Sequence, residues 1–179
     1  MKKILQLVVS LTLISAVCAA VLATVNAVTK EQIATIKARA TQNAARLVMP
    51  RSAKEVEPSG EGLFVGKGAS GKAVGYAVVG KSAAGYGGDI VLMVGFTPDL
   101  QIVTYQKLEA SETPGLGSNL SSPGFMKQFK GLDAKADLKV KKDGGTVEAI
   151  TSATITSRAV CDAINAARAK LQSSLAAGK

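Results

Sequence analysis

An uncharged apolar run near the amino terminus, from Ile4 to Val25, limits the architectures open to this chain. At about 1.5 Å of rise per residue, the run would form a helix of about 33 Å, which is long enough to cross the hydrocarbon core of a bilayer. Its polar side chains are uncharged, and their hydroxyl groups can return hydrogen bonds to the helix backbone. The run therefore predicts a transmembrane helix.

The charges that flank this run predict its orientation. Lys2 and Lys3 precede it, and the next charge is Lys30. Because positive residues favour the cytoplasmic side, we expect the amino terminus in the cytoplasm. The predicted location is the inner (cytoplasmic) membrane, with a single pass and the carboxy-terminal domain on the periplasmic or extracytoplasmic side. A cleaved signal peptide is the alternative, although its apolar region is typically only about 7–15 residues. Both interpretations export residues 30–179.

The composition excludes several classes of chemistry. The 179-residue chain contains no His and no Trp, which excludes Ser-His-Asp catalysis, His-ligated zinc and bis-His haem. Its two cysteines, Cys18 and Cys161, are too far apart for a disulfide framework or an iron–sulfur motif, and we expect Cys161 to be buried. We therefore expect no catalytic residue and no metal site, so that any redox chemistry must come from a cofactor.

The net charge raises the question of an anionic partner. Lys and Arg outnumber Asp and Glu by 22 to 13, which gives a formal net charge of +9. Aromatic residues make up only 4% of the chain, whereas proteins that bind single-stranded nucleic acid use aromatic stacking platforms. We therefore expect no nucleic-acid partner and assign the charge to solubility or to proximity to a membrane.

The sequence pattern divides the chain into three parts. Residues 1–28 are the predicted transmembrane helix, and residues 29–58 are a predicted stalk helix and linker. Thr29 is a candidate N-cap of the stalk helix, which either continues the membrane helix or breaks at Asn26. Irregular chain is expected from Pro50 to Pro58. Residues 59–179 form the predicted exported domain.

The exported domain is predicted to be α+β. Short β-branched runs bounded by Gly predict strands, and the turn at 97–100 predicts an antiparallel hairpin. The expected strands are 63–65, 74–79, 90–94, 102–108 and a short one at 138–140. Helices are expected at 125–129 and from about Ser157 to Ala176. Strands that precede the last helix without βαβ alternation predict antiparallel strands with flanking helices.

Hydroxyl side chains are concentrated just before the last helix. They are Thr151, Ser152, Thr154, Thr156 and Ser157. Helix capping accounts for one or two of them. A helix N-terminus also favours a phosphate group, and Arg158 would complete an anion site. Because no His and no adjacent Lys can act as a base, the cluster indicates a place where a phosphate is held or attached, not a hydrolytic site.

The segment Glu148–Ser157 resembles the flavinylation motif of FMN-binding domains, usually Asp-Ala-(Ile/Val)-(Ser/Thr)-Gly-Ala-Thr-x-Thr-Ser. In that family, the Thr of the Ala-Thr pair, here Thr154, receives FMN through a phosphoester bond. Two positions depart from the motif, because Glu148 stands where Asp is usual and Ser152 where Gly is usual. The cofactor-binding residues that the resemblance implies here are Thr151, Ser152, Ala153, Thr154 and Thr156.

Two further segments, Gly85–Ile90 and Glu112–Gly117, are similar to paired segments of the G subunit of the Rnf electron-transport complex. That protein is related to the C subunit of the sodium-translocating NADH:quinone oxidoreductase. The resemblance implies a second set of cofactor-binding residues: Glu112, Thr113, Gly115, Leu116 and Gly117. We interpret Tyr76, Tyr86 and Tyr105 as core or interface residues because they alternate with apolar strand positions.

The resemblance also implies a function. It is that of a membrane-anchored electron carrier with covalently bound FMN, which relays electrons within an ion-translocating ferredoxin:NAD oxidoreductase complex. Its expected partners are the other membrane proteins of the complex and a flavin transferase that attaches the cofactor. The carrier itself would be non-catalytic. Two other functions stay open, a non-redox extracytoplasmic binding module and a protein that only supports a membrane complex.

Overall fold

The computed structural model describes residues 2–133 and 137–177. The chain divides into two compact units, one that ends at Ala40 and one that begins at Thr41. The helices and strands are α1 (Lys2–Val48), β1 (Glu55–Gly60), β2 (Leu63–Lys67), β3 (Ala73–Gly85), β4 (Gly88–Phe96), β5 (Ile102–Glu109), α2 (Pro123–Lys127) and α3 (Thr154–Ala177). Two short 3₁₀ turns lie at Gly117–Ser121 and Lys141–Asp143.

The first unit is the greater part of helix α1. Its most apolar stretch has a mean hydropathy of 2.4 and none of it is buried, so by length and composition α1 can cross a membrane. The hydroxyls of Thr12 and Thr24 donate to the carbonyls of Val8 and Ala20 over 2.8 Å. These polar residues of the run therefore satisfy their hydrogen bonds within the helix, as expected.

Thr29 does not cap a separate stalk helix. It lies inside α1, and its hydroxyl donates to the carbonyl of Val25 over 2.8 Å. Neither Gly nor Pro occurs near Asn26 to interrupt the backbone ladder. Of the two alternatives that the sequence leaves open, the structure has the continuous helix.

The second unit is built on one five-stranded sheet. Its strands are ordered β1-β2-β3-β4-β5, and each pairs with its neighbours in antiparallel orientation. Strands β4 and β5 form the predicted hairpin, in which Phe96 pairs with Ile102. With α3 packed on the sheet, the predicted α+β class is confirmed.

The first strand, β1, differs from the prediction. The interval from Pro50 to Pro58 is expected to be irregular, but β1 begins at Glu55 and pairs with β2. The sequence of β1 is charged and contains Pro58, which has no amide hydrogen to donate. Proline is tolerated here because β1 is an edge strand, which needs a hydrogen-bonded neighbour on one side only.

The short strand expected at 138–140 is replaced by side-chain bonds. Val140 makes only an isolated bridge to Val147. Leu138 instead pairs with the side chain of Asn165, whose Oδ1 accepts from the Leu138 amide (2.9 Å) and whose Nδ2 donates to the Leu138 carbonyl (3.0 Å). The Asn165 amide thus takes the place of a neighbouring strand, a substitution that the sequence pattern does not reveal.

Both faces of the sheet are covered. On one face, Val78, Leu92 and Val94 belong to the main core, which they share with α3. On the opposite face, Met93 packs in a smaller core with Val48, at the end of α1. The alternation of Leu92, Met93 and Val94 between two cores explains why the sequence of β4 is a continuous apolar run.

Two side chains in the main core bear on the sequence interpretation. Tyr105 is buried as expected, and its hydroxyl donates to the carbonyl of Leu120. Cys161 is also buried, and burial raises the pKa of its thiol to about 12. Because the thiolate is the reactive form, Cys161 is an inert packing residue.

Helix α3 contacts strand β3 directly through backbone atoms. A methyl group added at Gly80 would lie 2.0 Å from the carbonyl oxygen of Ala163 and 2.8 Å from the Cβ of Ala167. Only glycine allows an approach this close. Gly80 therefore sets the depth at which α3 lies on the sheet.

Replacing Gly80 with Ala is expected to lower the free energy of unfolding by about 2–3 kcal/mol, because the helix backbone must move to make room. Gly124→Ala is the matched control, since nothing lies within 4 Å of a methyl group there. Thermal or denaturant unfolding of the two variants measures the difference. Equal stability of both variants would contradict the backbone contact.

Candidate functional site

The site is built around the first turn of α3, which Ser157 holds in place. The Ser157 hydroxyl donates to the carbonyl of Ala153 (2.9 Å) and accepts from the amide of Ile150 (2.9 Å). The Ala153 amide also donates to the carbonyl of Ile150. These bonds place Thr154 as the first residue of α3, where the leading amides of a helix have no intrahelical acceptor. The Ser157 hydroxyl is thus engaged by the segment that leads into α3.

Ser152, two residues before the helix, has a strained backbone. Its φ of +61° lies in the left-handed region that favours glycine. A residue with a Cβ costs about 1–2 kcal/mol in this conformation. The departure of Ser152 from the glycine of the motif therefore has a conformational cost.

A carboxylate connects the helix to the rest of the site. Glu112 accepts a hydrogen bond from the Thr156 hydroxyl at Oε2 (2.6 Å) and one from the Gly87 amide at Oε1 (3.3 Å). Thr156 belongs to the first turn of α3, and Gly87 to the turn between β3 and β4. One side chain thus bonds a loop, a helix and a hairpin together.

Gly117 allows the loop to approach this carboxylate. A methyl group at residue 117 would lie 2.3 Å from Oε2 of Glu112 and 2.7 Å from Oγ1 of Thr156. The loop is further fixed by Ser118, whose hydroxyl accepts from the Gly115 amide (2.9 Å), and by Asn119, whose side chain donates to the Gly115 carbonyl (2.9 Å). The segment Glu112–Gly117 is therefore an ordered wall of the site.

These elements line a cavity of about 510 Å³. Its volume lies within the range of about 300–1,000 Å³ that is typical of small-molecule sites. The lining residues are Tyr86, Glu112, Thr113, Leu116, Gly117, Ser152, Ala153, Thr154, Ile155 and Thr156. Thr154 is half-buried in this lining.

Eight of the ten predicted cofactor-binding residues lie together in this cavity. Thr151 and Gly115 instead line a neighbouring groove, which shares Leu116 and Ser152 with the cavity. Residues of the β3–β4 turn, of the loop and of the helix converge here although they are distant in sequence.

Two lining residues are missed by the sequence interpretation. Tyr86, expected to be a core or interface residue, is 72% exposed and lies at the tip of the β3–β4 hairpin. Its position between Gly85 and Gly87 is the signal that could have identified it, because a tight turn does not bury its own side chains. Ile155, 48% exposed, follows Thr154 and could have been recognised from its motif position alone.

The electrostatics of the site differ from expectation. Arg158, expected to face a bound anion, forms a two-pronged ion pair with Asp143 over 2.7 and 2.8 Å. This pair lowers the pKa of Asp143 and raises the pKa of Arg158. Glu112 is the one charged side chain among the described residues that line the cavity, and none of them is a Lys or an Arg.

The lining fits the flavin group that the sequence resemblance implies. Leu116, Ile155 and Tyr86 are partly exposed and offer apolar surface to a flat ring. The Thr154 hydroxyl and the leading amides of α3 offer a phosphate its usual partners. Apolar surface and phosphate-binding groups therefore meet in one cavity.

Comparisons with known proteins identify relatives of this chain. Residues 85–169 match the family model described as the FMN-binding domain. The chain is 37% identical to the G subunit of the ion-translocating oxidoreductase complex of Methanosarcina acetivorans, with 93% of each chain covered. It is 32% identical to the G subunit of the Na⁺-translocating ferredoxin:NAD⁺ oxidoreductase complex of Acetobacterium woodii, over 92% of this chain and 89% of that protein.

A solved structure supports the fold. The crystal structure of NqrC from Shewanella oneidensis superposes with a TM-score of 0.50 at 23% identity, over 64% of this chain and 64% of that one. The match of 85–169 to the family model includes the β3–β4 turn, the loop Glu112–Gly117 and the first turn of α3. All three parts of the cavity therefore lie within the matched region.

Replacing Ser152 with Gly is expected to raise the free energy of unfolding by about 0.5–1 kcal/mol. Relief of the left-handed strain outweighs the extra entropy of the unfolded chain. Ser122→Gly is the matched control: its φ is −70°, so glycine there adds entropy without relieving strain and should destabilise. Denaturant unfolding compares the two variants, and a loss of stability in Ser152→Gly would refute the assignment of strain.

Proposed function

The chain belongs to the family of G subunits of ion-translocating oxidoreductase complexes, and from this premise we propose that it is a membrane-anchored electron carrier with FMN bound in the cavity at the first turn of α3. The observation that carries the proposal is the convergence of the three motif segments on one cavity. When bound, FMN supplies one- and two-electron chemistry that no side chain of this protein provides.

We further propose that the FMN is attached to Thr154 through a phosphoester. The described lining contains no cation to hold a free phosphate, which carries a charge of about −1.5 to −2, and its one charged group, Glu112, would repel it. A covalent bond holds the cofactor without such a cation, and a phosphodiester carries only one negative charge. This argument favours a covalent over a dissociable cofactor.

The attachment calls for a second protein. The chain has no His, and no Lys lines the described part of the cavity to take the proton of the Thr154 hydroxyl. We therefore propose that a separate flavin transferase forms the ester. In this scheme Thr154 provides the acceptor oxygen, and Ser157 and Ala153 hold the turn on which it stands.

We propose that the protein relays electrons and has no substrate site of its own. The strands of the described sheet are all antiparallel, so that sheet offers no βαβ unit for a dinucleotide. Relatives named as parts of a ferredoxin:NAD⁺ oxidoreductase complex support a place in an Rnf-type complex. Other membrane proteins of the complex would then be the electron donor and acceptor.

For the membrane arrangement, we propose that residues 1–28 span the cytoplasmic membrane and that residues 29–58 lead to an FMN-binding domain at 59–179. The last residues of the 29–58 segment, from Glu55, form β1 of the sheet of that domain. Lys2 and Lys3 favour a cytoplasmic amino terminus. The domain would then lie on the periplasmic or extracytoplasmic side. The apolar, unburied helix α1 is consistent with a single membrane pass.

Replacing Thr154 with Ala is expected to abolish covalent flavin, because no oxygen is left to form the ester. The measurement is flavin fluorescence of the protein band in a denaturing gel, together with the intact mass, after production with a flavin transferase. Electron flow through the assembled complex should be lost in the same variant.

Thr146→Ala serves as the matched control, since Thr146 is exposed and lines neither the cavity nor the neighbouring groove. It should retain the fluorescent band. Unfolding curves of both variants report whether the domain stays folded. An FMN adduct that persists in Thr154→Ala would disprove the attachment site, and a wild-type protein without any flavin would disprove the cofactor.

The topology predicts that Ser70→Cys, in the exposed turn between β2 and β3, reacts with a membrane-impermeant maleimide on intact spheroplasts. Native Cys161 should stay unlabelled because it is buried and the pKa of its thiol is raised to about 12. Labelling of Ser70→Cys only after lysis would indicate the opposite orientation, with the domain in the cytoplasm. Amino-terminal sequencing distinguishes a retained helix from a cleaved signal peptide.

A further inference from the structure

Glu112 holds a fixed position in the cavity wall. Both oxygens of its side chain are engaged, one by the Thr156 hydroxyl and the other by the Gly87 amide. Thr156 is buried, so this partner is itself held in the core. Glycine at residue 117 lets the loop close over the carboxylate. The carboxylate therefore stays at one place relative to the cavity.

Both contacts of Glu112 use its side chain as an acceptor. A hydroxyl and an amide can both donate to it, and a carboxylate is a pure acceptor. Glu112 is also only half-buried in the cavity wall. The cavity thus carries one built-in negative charge.

Cations on the elements that form the cavity do not offset this charge directly. Arg158, which follows the first turn of α3, is paired with Asp143. Lys81, on β3, is paired with Asp89 over 2.5 Å. Neither cation lines the cavity. A group bound there is consequently exposed to the field of Glu112, with no cation among the described lining residues to cancel it.

We propose that Glu112 sets the reduction potential of the group bound in this cavity, by disfavouring the uptake of negative charge. The inference rests on the proposed function, in which that group is FMN. Uptake of two electrons, from a reduced carrier or a chemical reductant, and one proton from water leaves the ring with one added negative charge. Glu112 raises the free energy of that charged form relative to the neutral oxidised form, and so lowers the potential.

The test is a redox titration of the flavin-loaded full chain, with dithionite and mediator dyes at mildly alkaline pH. Glu112→Gln removes the charge and keeps an acceptor for Thr156 or Gly87. It is expected to shift the midpoint to a more positive potential. At a fixed solution potential, the ratio of reduced to oxidised flavin should rise about tenfold, which corresponds to about 30 mV for a two-electron couple.

Two further variants separate charge from structure. Thr156→Val removes the hydroxyl but leaves the carboxylate, so it should not produce this positive shift. Asp99→Asn removes a carboxylate in the turn before β5, outside the lining of the cavity, and should leave the potential unchanged. An equal shift in Thr156→Val and Glu112→Gln would assign the effect to local structure and overturn the proposal.

Failure of one variant to load flavin does not end the test. Thr113 is exposed and lines the same cavity. Thr113→Lys, in the otherwise unchanged chain, adds a positive charge that compensates Glu112, so it should also shift the potential upward. Thr113→Gln adds no charge and should leave the potential unchanged. If flavin-loaded Glu112→Gln and Thr113→Lys both have the potential of the parent chain, the role of Glu112 is overturned, while the proposed function stands. Absence of flavin from the parent chain would overturn the proposed function, and this inference with it.

Discussion

The backbone contact between Gly80 and Ala163 fixes helix α3 on the sheet, and the site depends on it. Ala163 lies nine residues after Thr154, a distance of about 13.5 Å along a helix, so the depth of this contact also sets where the first turn of α3 lies. That turn brings Thr156 within 2.6 Å of Glu112. A contact between two small residues in the core thereby positions the hydroxyl groups of the site.

Glu112 transmits this position to the other walls of the cavity. It bonds the turn of α3 on one side and the β3–β4 turn on the other. Its own loop is held by the Gly115 amide, which donates to the Ser118 hydroxyl, and by the Asn119 side chain, which donates to the Gly115 carbonyl. Groups that must hold a ligand accurately are best carried by elements whose side chains are themselves fixed. Here the loop Glu112–Gly117 is held rigid by its bonds to α3 and to the β3–β4 hairpin, both of which pack in the core.

Much of the fold could be predicted because the pattern of apolar residues in the sequence marks the strands and the helix, as in β4, β5 and α3. Strand β1 could not, because Pro58 and its charged neighbours look like a linker, and only the pairing with β2 makes them a strand. The hydroxyl cluster marked the site, but nothing in the sequence marked the partner of Arg158, since Asp143 is brought to it by the tertiary fold. Tyr86 was missed for a related reason, because the exact hairpin tip decides whether it is buried or exposed.

The charge of the site and its mode of attachment belong together under the proposed function. A dissociable FMN would have to be retained through contacts with its phosphate, and cations added there to strengthen retention would also stabilise the reduced ring and raise its potential. An ester at Thr154 makes those cations unnecessary for retention. The cavity can then carry the carboxylate of Glu112 without losing the cofactor. Covalent attachment therefore separates retention of the cofactor from control of its potential. Without the ester, positive charges would favour retention but would also raise the potential.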